Sequence, residues 1–170
     1  MSSSRRPRPA PTGHDLLTVY LNDHFAGATA GLGLARRLVK AHSGLDSGAQ
    51  LTAIANEIAQ DRATLAEIMK RLDVPTKRHK VIGAWLGERA SRLKLNGRVS
   101  SRSPLSTLVE LEAMRLGVDG KVAGWRSLRE LAEGEPRLDR DQLDGLMARA
   151  RQQSDVLEDL RVRAVATVFG

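Results

Sequence analysis

A chain of 170 residues is long enough for one domain that buries roughly 70% of its unfolded surface. Hydrophobic residues make up 41% and charged residues 28%, aromatics reach only 3%, and cysteine is absent. That excludes disulfide scaffolds, thiol catalysis, zinc fingers and cysteine-held iron–sulfur clusters. No uninterrupted apolar run approaches the roughly 18 residues of a membrane span. The net charge of +7 is concentrated: residues 1–13 carry +3, residues 76–102 carry +7, and the rest carry −3.

Residues 1–13, MSSSRRPRPAPTG, are small, basic and proline-rich. They lack the apolar run of a signal peptide, so they read as a disordered basic tail on a cytoplasmic protein. Four helices follow in residues 14–170. The first runs from about His14 to His42, with Leu17, Tyr20, Leu21, His24, Gly27, Ala28, Gly31, Ala35 and Leu38 at steps of three and four. Thr12, three residues before Asp15, predicts a capping box, and Ser43-Gly44 predicts the stop. The second runs from about Gly48 to Leu72, on a stripe of Leu51, Ile54, Ile58, Asp61, Leu65, Ile68 and Leu72. Ser47 with Gln50 predicts its cap, and Pro75 lies beyond its end.

Ser103 and Pro104 have the N-cap and first-turn chemistry that opens a third helix, to about Ala132. Its stripe is Leu108, Leu111, Met114, Val118, Val122, Trp125 and Leu128. Asp139 with Gln142 predicts the start of a fourth, from about Arg140 to Val168, on Leu143, Leu146, Ala150, Gln153, Leu157, Leu160 and Ala164. Four amphipathic rods of matched length, about 40 Å each, bury their stripes best side by side. Short joins make helices 1 and 2, and helices 3 and 4, antiparallel hairpins. The join of residues 76–102 is long enough to run back along the bundle, and Ile82, Trp85, Leu86 and Ala90 give part of it a helical pattern. The predicted fold is all-α: a four-helix bundle with a long, partly helical crossover between helices 2 and 3.

With that connectivity, and with the blocks YLNDHFAGATAGLGLARRL and LVELEAMRLGVDGKVAGWRSLREL, the chain resembles the ferritin-like superfamily. Within it, the chain is similar to small bacterial proteins that carry no assigned activity. The resemblance covers about residues 14–170 and implies the two-hairpin fold. Di-iron members place a Glu on two helices and Glu-x-x-His on the other two. This sequence has no Glu-x-x-His, which puts that metal chemistry in doubt.

The residues leave two readings of the bundle interior. His24, Asp61 and Gln153 fall on apolar stripes, with Tyr20 one turn from His24, and aligned helices would bring them to one depth. On the structural reading these four are a buried polar layer that fixes register, and no cofactor is expected. On the metal reading His24, Glu57, Asp61 and Glu112 would hold Fe or Mn, since carboxylates and imidazole are the donors those ions take.

Elsewhere, Gly27 and Gly31 read either as close packing within the monomer, against a bulky residue such as Trp125, or as a contact in a homodimer. Gly117, Gly120 and Gly124 predict either close packing, with Trp125 as the large neighbour, or a bend in the helix. Lys77, Arg78, Lys80, Arg89, Arg92, Lys94 and Arg98 read either as a solvated face or, with the tail, as a non-specific nucleic-acid surface. No nucleotide loop or nucleophile elbow is present. The expected function is therefore that of a non-catalytic, self-associating helical-bundle protein.

Overall fold

The structure, a computed structural model, describes residues 10–76 and 104–170. Four helices account for nearly all of them: α1 (Gly13–Ala41), α2 (Ser47–Arg71), α3 (Pro104–Leu131) and α4 (Arg140–Phe169). The described residues contain no strand. The sequence places each helix boundary to within one residue, because the ends carry local chemistry that does not wait for tertiary contacts.

Thr12 closes α1 with a full capping box: its Oγ1 accepts from the Asp15 amide at 3.2 Å, and the Asp15 carboxylate accepts from the Thr12 amide at 2.9 Å. Asp139 caps α4 by accepting from the Gln142 amide at 3.0 Å. The cap predicted at Ser47 is not formed. Asp46 is the capping residue of α2 and makes no side-chain cap bond, while the Ser47 hydroxyl pairs with His42 Nδ1 at 2.8 Å. The tight turn at residues 42–46 causes this, since it brings the end of α1 within reach of Ser47; Gly44 there holds φ +83°, a backbone state that glycine adopts without strain. Helix α2 ends in a Schellman motif: Val74 N–H donates to Met69 O at 2.9 Å and Asp73 N–H to Lys70 O at 3.2 Å. Asp73 takes the left-handed position at φ 56°, and buried Val74 packs beneath it.

Cross-helix pairs give the directions. Arg62 of α2 meets Phe25 and Thr29 of α1, and Pro75 beyond α2 meets Asn22, so α1 and α2 are antiparallel. Tyr20 with Ser127 and His24 with Gly124 set α1 antiparallel to α3. Asp119 with Ser154 and Asp144 with Arg129 do the same for α3 and α4. Gln50 with Arg163 and Arg71 with Gln142 do so for α2 and α4. All four neighbouring pairs are therefore antiparallel, and the diagonal helices α2 and α3 are parallel. The end of α2 and the start of α3 lie at opposite ends of the bundle. Leu21, Leu38, Ile68, Met69, Leu111, Leu128, Leu143 and Leu157 form the centre of one continuous core. The basic residues expected to bind nucleic acid, Lys77 to Arg98, lie outside the described residues, as does nearly all of the predicted crossover.

Candidate functional site: an interior ion-pair layer

The core stripe of α2 is interrupted by Asp61, which is 2% exposed. A carboxylate in such surroundings needs partners that offset its lost hydration. Three come to it from two other helices. Lys121 of α3 donates to Asp61 Oδ2 at 2.6 Å, and Arg149 of α4 donates through Nη2 to Oδ1. Gln153, also of α4 and buried, donates from Nε2 to Asp61 Oδ2 at 3.5 Å and to Glu57 Oε2 at 2.7 Å. Its Oε1 accepts from Lys121 Nζ, so the amide is oriented with oxygen toward the ammonium and nitrogen toward the carboxylates. Arg149 reaches Gln60 as well, at 3.4 Å.

The layer balances its own charge: Glu57 and Asp61 against Lys121 and Arg149. Exposure falls from the rim inward, with the side chains of Arg149 at 30%, Lys121 at 15% and Asp61 at 2%. Burial pushes the Lys121 ammonium below the usual lysine range, while Asp61 beside it pulls the other way. Arg149 Nε is buried without a partner among the described residues.

Tyr20 and His24 stand apart from this layer, on the seam between α1 and α3. Their rings meet edge to face at 4.5 Å, and the Tyr20 hydroxyl donates to Ser127 Oγ at 2.8 Å. A Cβ on Gly124 would lie 2.9 Å from both Cε1 and Nδ1 of His24, so the ring occupies space that only a glycine leaves. Burial lowers the His24 pKa from its ordinary value, with Asp23 opposing. The expected four-residue layer is thus two pairs on different seams. Asp61 with Gln153 is one and Tyr20 with His24 is the other.

The four expected metal ligands are not brought together. Glu57 and Asp61 share the interior layer, His24 lies on the α1–α3 seam, and exposed Glu112 faces Arg161 at 3.9 Å. Among the described residues, no three of His, Asp and Glu gather where they could hold a metal ion. The donors that remain do not fit one either. Both oxygens of Asp61 already accept from cations, and an incoming divalent ion would meet an ammonium and a guanidinium at contact range.

Of the readings offered for the glycines, close packing within the monomer finds a contact at Gly124 alone. Among the described residues, a Cβ at Gly27, Gly31, Gly117 or Gly120 meets nothing within 4 Å, and the large neighbour of Gly124 is His24, not Trp125. Trp125 is buried in the core with its Nε1 unpartnered. The sequence reading passes over Lys121, Arg149 and Asn22. The first two carry a signal: Met114, Val118, Lys121, Trp125 and Leu128 step by four and three, which puts Lys121 on the core seam, and Arg149 lies one turn from both Leu146 and Gln153. Asn22, also buried, bonds Thr18 O at 2.8 Å and Pro75 O at 3.0 Å, a tertiary role with no local signal. Set against protein-family models, curated proteins and solved structures, the chain matches none. The fold and layer define a four-helix protein with a self-neutralised interior, and its residues alone carry the argument about function.

Proposed function

We propose that this chain is a non-catalytic helical-bundle protein with a degenerate ferritin-like core, acting by association with a second copy of itself. The observation that carries the reading is the interior layer: both oxygens of Asp61 accept from side-chain cations, and half-buried Glu57 accepts from the Gln153 amide. The ferritin-like part of the reading is supported by parallel α2 and α3, which residues 77–103 must join from opposite ends. Self-association is supported by exposed Leu16, Val19 and Leu116, and by Gly27 and Gly31, where no described residue would meet an added Cβ.

Sedimentation equilibrium of the full chain over a wide concentration range tests this. The expected result is a mass that rises toward the dimer, and a Gly27→Leu variant that shifts the equilibrium toward monomer while keeping its helical signal. A monomer at every concentration overturns the reading. Charge favours a second reading, non-specific nucleic-acid binding. Residues 1–13 and 76–102 hold +10 against −3 on the rest of the chain. Retention on DNA should then fall linearly on a log–log salt plot, with a shallower slope after Arg→Ala changes at Arg89 and Arg92.

A further inference from the structure

We propose that Lys121 and Arg149 together are the covalently tethered equivalent of an interior divalent cation: they supply the two positive charges that Glu57 and Asp61 require, from inside the chain. Two carboxylates approaching one helix-bundle interior repel each other and lose hydration together. A bundle has three ways to hold them there: protonate them, bind a cation, or bring cationic side chains to them. In this chain Lys121 reaches one oxygen of Asp61 at 2.6 Å, Arg149 takes the other, and Gln153 bridges Lys121 to Glu57. The amide stands where a shared ligand would, relaying one acid to the other.

Two consequences are specific to this arrangement. The core is indifferent to metal supply and to chelators, because its counter-ions are never released. It also contains a latent cation site: with the charges at 121 and 149 removed, Glu57, Asp61 and the Gln153 carbonyl become an oxygen donor set suited to Mn²⁺. The inference rests on the same interior layer as the proposed function: Mn held by the unaltered protein overturns both, a double variant that ignores Mn²⁺ overturns the inference alone, and a protein that stays monomeric overturns self-association alone.

The test compares the full-length protein with Lys121→Met/Arg149→Met, by thermal melting in Mn²⁺ and in EDTA and by elemental analysis after Mn²⁺ loading and desalting. The unaltered protein is expected to hold no stoichiometric Mn and to melt at the same temperature in both. The double variant is expected to melt lower in EDTA and to recover several degrees in Mn²⁺. About one Mn per chain in the unaltered protein, lost in Asp61→Asn, overturns the proposal, as does a cooperatively folded double variant whose melting ignores Mn²⁺. If the double variant does not fold, Lys121→Gln/Arg149→Gln, which also removes both charges, takes its place under the same two criteria.

Discussion

Two acid–base clusters tie α4 and its preceding turn to α2, and they sit in opposite surroundings. At the end of the bundle, Arg137 pairs with Glu135 at 2.7 Å, with Asp73 at 2.9 Å and with the Arg71 carbonyl at 3.2 Å; Arg137 and Asp73 are exposed and Glu135 is half-buried. In the interior, Asp61 collects Lys121, Arg149 and Gln153. The bond geometry is similar, but the consequence of losing a member is not. Water re-solvates whatever the end cluster leaves unpaired, whereas an interior group stripped of a partner has little water to replace it and must rely on the few polar groups left in the layer. The end cluster therefore trims the stability of a turn, and the interior layer dictates which residues can face one another at all.

That contrast can be broken at several points. The largest effect should come from Asp61→Ala, which leaves Lys121 and Arg149 facing an apolar core; a loss of about 3 kcal/mol is expected in denaturant unfolding, toward the low end for a buried pair because Arg149 reaches solvent. Lys121→Met should cost less than Asp61→Ala, since Arg149 still neutralises Asp61 and the thioether fills the vacated space. If the two cost the same, the layer is not electrostatic in the sense argued here.

On the α1–α3 seam, Gly124→Ala gains about 1 kcal/mol of helix propensity but drives a methyl into the His24 ring, which costs about 1–3 kcal/mol. The net change should be destabilising, and should reverse sign in a His24→Ala background; a double-mutant cycle reads this directly. His24 also gives the seam a pH dependence. Its folded pKa lies below 6.5, so below that value the unfolded chain binds the proton more readily. Its contribution is whole above 6.5 and is lost as pH falls through the lowered folded value, then levels off. A His24→Gln variant should flatten that part of the profile.

The smallest effect belongs to the end cluster. Glu135 is held at about 2 chiefly by its bonds from Arg137, so its contribution is present above 4.5 and disappears as pH falls from there toward 2. At neutral pH, Glu135→Gln should leave the melting temperature nearly unmoved, and added salt should erase what difference there is.

The helices were legible in the sequence because their information is local: stripe spacing, Thr12 and Asp139 at starts, Gly44 and Pro75 past ends. Ser47 misled because capping patterns do not reveal the turn before them, and there His42 claims the hydroxyl. Asp61 and Gln153 were legible as polar residues on apolar stripes. Their partners were less so, since a lysine or arginine beside a stripe is read as solvated by default; only its three-four register with the core marks it. The separation of His24 from Asp61 was not legible. It depends on which seam each helix turns toward, a choice made by packing among four helices and not by any one of them.

The interior layer also has a place in the order of folding. Its bonds to Asp61 and Glu57 of α2 join residues 60 to 96 positions apart, while Arg129 and Asp144, within one hairpin, are separated by only 15. Contacts closing the longest loops carry the greatest entropy cost, and in the α3–α4 hairpin nearer contacts suffice to begin. The layer then belongs to the late, downhill side of the barrier, formed as the two hairpins dock. Weakening it leaves the folding rate almost untouched and shows itself as faster unfolding, which makes Asp61 and its partners a latch on the lifetime of the native state.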